Sequence, residues 1–298
     1  MPLAPFLRFF GLCRRGLTSS RGRALVGIVC SLTLGALALA AWRHLAPPQT
    51  EAGWHYQVYQ DDVDKVSALA FDGQGELLLS QELQSGRGRI VKRLADGGLR
   101  EVELGLSKPD GMVAFQGGVV FSQEQDDEPV RWYRADGTRT LFRGRNIEGL
   151  ANDGRFLYAI EDRRGDGQLL RYDPVTDMTI VLRGGLDEAE AITACPDGRL
   201  YYSEKAKGQV RQLVAEGKDP LVLEGLNQPG FLLCTDDGLW ITEDATHMAR
   251  VLLFTGDRPP LTVMSHLRSA QTLLQTAPGH YLLAEQGRNR VLSLQRRP

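Results

Sequence analysis

Carboxylates are the chemistry-bearing residues of this chain, and they recur with a regular period. Apolar runs that end in an acid occur as LLLSQE at Glu82, VVFSQE at Glu124, LYAIE at Glu161, LYYSE at Glu204, LWITE at Glu243 and LLAE at Glu285, spaced 42, 37, 43, 39 and 42 residues apart. A second set, Asp110, Glu148 and Glu190, holds one position in three consecutive copies, where the other copies carry Ser67, Pro229 and Ala270. Acids gathered at one place repel unless a divalent cation, basic neighbours or protonation neutralises them. Arg163, Lys205, Lys207 and Arg288 follow the run-ending acids and are the available basic partners.

An acid present in every copy suits a need that every copy has, such as accepting backbone hydrogen bonds. The three-copy set has no such repeat-wide explanation, so Asp110, Glu148 and Glu190 are the candidate metal ligands. Oxygen donors without Cys or a His pair suit Ca²⁺ or Mg²⁺ rather than Zn²⁺. Glu190 is also a candidate acceptor of a proton from water, and His247, in the loop after Glu243, is a candidate general base. The other histidines, His44, His55, His266 and His280, are scattered, and no GxSxG motif supports a serine hydrolase.

The elements that position these residues follow from the repeat. Each acid-ending run follows a turn signal (GQG, QGG, NDG, PDG, DDG, APG), and before that comes another apolar stretch, which makes a hairpin. A polar loop, a third strand and, in five copies, a fourth strand complete units of about 40 residues, the pattern of a four-stranded propeller blade. The expected fold is all-β, a six-bladed propeller. The last copy lacks its fourth strand, so the unassigned strand at residues 54–59 is expected to complete that blade and close the ring. EAEAIT at 188–193 reads as a helix in isolation, but the repeat assigns it to a strand. With the hairpin turn centred on 152–155, Glu148 is expected opposite Ala159 and diagonal to Glu161.

Residues 24–42 carry no charge and are long enough to cross a bilayer as one helix. Five arginines and no acid lie in residues 1–42, so the N-terminus is expected in the cytoplasm and the rest of the chain across the membrane. The expected organisation is a basic cytoplasmic segment (1–23), a single-pass anchor in the inner membrane (24–42), a linker (43–53) and a periplasmic propeller (54–298). Ala36-Leu37-Ala38 and Ala38-Leu39-Ala40 satisfy a cleavage pattern, whereas the 23-residue flank favours retention. Arg14-Arg15 is similar to a twin-arginine motif. Beyond the membrane segment 30 basic residues face 37 acidic ones, which argues against a nucleic-acid surface. Cys13 and Cys30 lie in the targeting region. Cys195 and Cys234, in one column of adjacent copies, are expected as free, buried thiols.

At Pro109-Asp110-Gly111-Met112 and Ile147-Glu148-Gly149-Leu150 the chain resembles the SMP-30/gluconolactonase/luciferin-regenerating superfamily of six-bladed propellers, which includes strictosidine synthase-like proteins. The resemblance covers residues 54–298. It implies a lactonase that holds a divalent cation, usually Ca²⁺, through one Glu, one or two Asn and an Asp, with Asp110 and Glu148 as the matching residues. The Asn ligands lack a counterpart, because Asn152 falls in a hairpin turn and Asn227 at a blade junction. Residues 227–243 also resemble an NHL-type repeat, whose propellers bind partners without catalysis. Two functions are therefore expected: a cation-dependent hydrolase of lactones or related esters, or a monomeric module that binds a peptide, glycan or envelope protein.

Overall fold

The computed structural model describes residues 20–297 apart from 216 and 257, so Cys13, Arg14 and most of the basic segment lie outside the described residues. Ser20–Leu45 is one helix. Its portion Ala24–Leu45 is long and apolar enough to cross a membrane, and it carries the free Cys30. From Pro48 onward the chain forms a second compact unit.

That unit is a six-bladed β-propeller. The innermost strands are Val66–Phe71, Met112–Phe115, Ile147–Asn152, Ile192–Ala194, Pro229–Thr235 and Ala270–Ala277, and each heads an antiparallel sheet that runs outward in chain order. The EAEAIT segment feeds a strand, as the repeat requires. Trp54–Gln60 pairs with Arg290–Arg296, placing Tyr56 opposite Leu294, so the N-terminal strand completes the last blade. Trp54 packs against Trp240 at 5.5 Å and Tyr281 at 6.1 Å between ring centroids, which seals blade 6 to blade 5. The stretch read as a linker contributes structure too: Gln49–Thr50 adds a fifth strand to blade 5 along Leu261–Leu267.

The turn glycines explain the hairpins. Gly75, Gly154 and Gly198 sit at φ of 79°, 89° and 85°, a region open to glycine at little cost. The core is six clusters, one between each pair of neighbouring blades, and all of them draw on residues from Trp54 to Leu294. The propeller therefore has a complete core of its own. Truncating a fully buried residue such as Leu79 or Ile160 to Ala should cost about 2–5 kcal/mol.

Four of the innermost strands break register near their start. Their pairing with the second strand slips between Val66 and Leu69, Ile147 and Leu150, Pro229 and Leu232, and Ala270 and Leu273. Each slip is a β-bulge that lifts two residues out of the ladder. It corrects the expected register: Leu150 faces Ala159 and Ile147 faces Glu161, while Glu148 and Gly149 lie in the bulge.

A carboxylate ring at one end of the central channel

The bulges set the ring. Counting from the paired residues, one position is held by Ser67, Asp110, Glu148, Glu190, Gly230 and Gln271, inside the bulge in blades 1, 3, 5 and 6 and just before the first ladder pair in blades 2 and 4, and all six line one cavity of about 30 Å³. The expectation of Pro229 and Ala270 in this column was one residue early, since both are paired in the ladder, opposite Glu243 and Glu285. The next position explains the glycines of the PDGM and EG motifs. A Cβ on Gly111 would lie 2.1 Å from the Glu148 carbonyl oxygen, and one on Gly149 would lie 2.4 Å from that of Glu190. Only glycine lets these neighbouring segments approach and bring the three acids together. Hydroxyls from the second strands hold these entries into the innermost strands: Ser122 accepts from the Gly111 N–H at 3.2 Å and donates to the Glu148 carbonyl at 3.3 Å, and Ser203 accepts from the Ala191 N–H at 3.0 Å.

The run-ending acids divide into two columns. Glu161, Glu204, Glu243 and Glu285 accept from the backbone N–H groups of Arg145, Asp187, Asn227 and Arg268, the blade-by-blade role expected of them. In blades 1 and 2 that column is held by Gln81 and Gln123, for Gln81 stands opposite Val66 and Gln123 accepts from Ser107 N–H. Glu82 and Glu124 instead share the following position with Asp162, Lys205, Asp244 and Gln286. These six residues donate their backbone N–H to Lys65, Lys108, Asn146, Glu188, Gln228 and Ser269 in turn. All six acceptors are non-glycine residues in the left-handed region, with φ between 45° and 55°. Such a conformation costs about 1–2 kcal/mol per residue, and here it recurs around one rim.

Seven carboxylates thus meet at this mouth with two lysines among them. Lys205 pairs with Glu190 and, at 2.8 Å, with Asp244, which also accepts from Gln271 at 2.7 Å. Lys108 pairs with Glu124 and, at 3.6 Å, with Glu82. Ser67 donates to Asp110. Blades 4 to 6 thus set one lysine against two carboxylates, whereas blades 1 to 3 set one against five, so most of the carboxylate excess lies on blades 1 to 3. There the carboxylate oxygens of Glu82, Asp110 and Glu124 come within 4.8 Å of one another, as do those of Glu124, Glu148 and Asp162. Asp162 Oδ1 is buried without a hydrogen-bond partner. Glu190 shares the cavity with Asp110 and Glu148 but belongs to neither oxygen group. All donors are hard oxygens and the cavity is about the size of one water, so the residues fit Ca²⁺ or Mg²⁺.

Burial dominates the acidities. It pushes Asp110 up to about 8, aided by the Glu82 charge and opposed by the Ser67 hydroxyl and Lys108. Glu148 is raised well above the usual carboxylate range by burial and then by Glu190 and Asp110. Burial raises Glu190 as well, against the pull of Lys205, whose own ammonium is held charged by Glu190 and Asp244. Asp162 is raised by burial and partly relieved by Lys205.

The other end of the channel is apolar. The same innermost strands continue into a chamber of about 250 Å³ whose walls include Phe71, Val113, Ala151, Leu233 and Leu274. Asn152 lies here, donating to the Ala114 carbonyl at 2.8 Å, so it is distant from the acids along its strand. Asn227 is exposed. His247 is half-buried in its loop and does not line the carboxylate cavity. Cys195 and Cys234 are not free thiols: they form a disulfide across blades 4 and 5, with Cα atoms 4.9 Å apart. Innermost strands of neighbouring blades converge on the axis, which brings such positions within bridging distance. Counted from the bulges the two cysteines are staggered by one residue, Cys195 matching Thr235.

No protein-family profile matches the sequence, and a search of curated proteins finds no match. Solved structures do resemble it. A gluconolactonase from Xanthomonas campestris aligns with a TM-score of 0.69 at 15% identity, over 84% of this chain and 95% of its own. An auxiliary nutrient binding protein from Bacteroides ovatus aligns at 0.61 and 13% identity, over 84% and 78%. Virginiamycin B lyase from Staphylococcus aureus aligns at 0.57 and 15% identity, over 77% and 80%. The chain therefore has the six-bladed arrangement that the PDGM and EG motifs imply, and the propellers it is similar to include both enzymes and a binding protein.

Proposed function

We propose that this chain is a membrane-tethered, extracytoplasmic propeller that hydrolyses lactones or related esters with a divalent cation at its carboxylate mouth. The convergence of two three-carboxylate groups beside a cavity sized for one ion carries the reading. Glu82, Asp110 and Glu124, with Glu148 and Asp162 adjoining, would hold Ca²⁺ or Mg²⁺, which when bound supplies carbonyl polarisation and a more acidic water. Glu190 is engaged by Lys205, so the proton-accepting role passes to Asp162, whose Oδ1 has no hydrogen-bond partner. Water adds to the carbonyl carbon, the ring C–O bond breaks, and the water proton moves through Asp162 to the departing alkoxide. Asp110 and Glu148 line the mouth, and the left-handed rim holds the second carboxylate column in place.

A second reading has one observation in its favour. A cavity of about 30 Å³ has no room for a lactone, so the substrate would sit outside it; a propeller that uses the ion structurally and binds an envelope partner needs no such space. Calorimetric titration with Ca²⁺ and Mg²⁺, followed by assays on small lactones and aryl esters before and after chelation, separates the two. Binding with turnover that disappears in Glu148→Gln supports the hydrolase. Binding without turnover leaves the structural ion, and no binding up to millimolar cation ends both cation readings.

A further inference from the structure

We propose that the apolar end of the channel is a binding site for a slender, uncharged apolar molecule, either an alkyl chain or a single aromatic ring. This goes beyond the hydrolase reading and does not depend on it. The chamber measures about 250 Å³ and draws walls from all six innermost strands. Water would need about eight molecules to fill it, each wanting two to four polar partners. The walls offer few. Asn152 gives its amide N–H to the Ala114 carbonyl and accepts from Gly154 N–H at 3.0 Å, and Thr193 Oγ1 accepts from Cys234 N–H at 3.2 Å. Phe71, Val113, Leu233 and Leu274 are each only half-buried, leaving apolar surface open at a site too narrow for a helix or a second copy of the chain. Poorly bonded water displaced by an apolar group is a net gain, and a cavity of about 150 Å³ lined by aliphatic and aromatic side chains already accepts benzene.

The chemistry of the occupant is bounded on both sides. Met112, Leu150, Phe231 and Thr272 line both the chamber and the carboxylate cavity, so the two spaces adjoin. An anionic ligand would meet the field of the uncompensated acids of blades 1 to 3, and a charged group inside the chamber would lose its hydration without a partner. A neutral chain or ring meets neither penalty.

The propeller from residue 48 onward, which contains its whole core, is the material for the test. Its calorimetric titration with 1-octanol should show saturable binding that toluene displaces. Leu233→Glu, on blade 5, and Val113→Glu, on blade 2, should each weaken 1-octanol binding at least tenfold while the near-ultraviolet dichroism stays native. A second measurement needs no variant: adding 1-octanol to the unaltered domain should shift the methyl resonances of Val113, Leu233 and Leu274 and leave those of the inter-blade clusters in place. Absence of saturable 1-octanol binding, equal binding in both folded variants, or a methyl spectrum unmoved by 1-octanol would overturn the proposal.

Discussion

At the mouth the innermost strands of blades 2, 3 and 4 contribute Asp110, Glu148 and Glu190; three residues further along the same strands stand Val113, Ala151 and Thr193. Glu148 is lifted out of the ladder by a bulge, Asp110 and Glu190 stand just before the first paired residues of their strands, and all three are crowded by four more carboxylates and made weaker acids by burial. The second belongs to the chamber end and carries no charge. The blade scaffold is common to both ends, so the polarity of the channel is written at individual strand positions, and the bulge divides one regime from the other. A propeller can therefore change the chemistry of one mouth without altering its other end.

The comparison can be broken most strongly by pH. Asp110, Glu148 and Glu190 are all raised in the folded state, so the cation-free fold binds their protons more tightly than the unfolded chain does. The stabilisation this gives is complete below about pH 4, near the unfolded carboxylate values. It is lost as pH rises through the folded values, about 8 for Asp110. Thermal unfolding in chelator should show a midpoint that falls between pH 5 and pH 8.5, and added Ca²⁺ should reverse the trend. A midpoint flat across that window would remove the acidic end from the comparison.

Lys205→Met comes next. It strands Glu190, which is 4% exposed, beside Asp244 without a counter-ion. Removing one partner of a buried pair costs about 3–5 kcal/mol, readable by urea denaturation at pH 8. A loss under about 1 kcal/mol would mean that Glu190 takes a proton instead.

At the apolar end, replacing both Cys195 and Cys234 by Ser opens a 39-residue loop and should lower stability by about 2–4 kcal/mol, with the carboxylate mouth and its cation affinity unchanged. A change in Ca²⁺ affinity would show that the two ends are mechanically coupled. The smallest effect is expected for Ser122→Ala, about 1 kcal/mol for the hydroxyl that ties the Gly111 backbone of blade 2 to the Glu148 carbonyl of blade 3. If that variant is as stable as the parent, the hydroxyl is not what holds the two blades together there.

The repeat, the blade number and the closing strand were legible because hydrophobic alternation and turn glycines recur on a fixed period. Asp110 and Glu148 were legible for the same reason. The bulges were not, since an unpaired residue leaves no mark in composition, and that hid the true column partners Gly230 and Gln271. Glu82 and Glu124 were grouped with the backbone-binding acids because the last acid of each run was taken as the anchor. The Ser or Thr at positions 80, 122, 203 and 242 marks the register correctly, placing Gln81 and Gln123 beside Glu204 and Glu243. Lys205 was visible as an available cation, but its double pairing depends on two neighbouring blades, and the disulfide depends on how closely strands converge at the axis.

The closing strand has a consequence for how the chain is made. Trp54 pairs with Arg296, so one of the first strands to emerge must wait for the last. Until then Trp54–Gln60 and the outer face of blade 6 are unpaired edges, and pairing so distant in sequence makes for slow, high-contact-order assembly. Nascent chains arrested before residue 290 should accordingly remain protease-sensitive along their whole propeller, with resistance arriving in one step when the last strand is released.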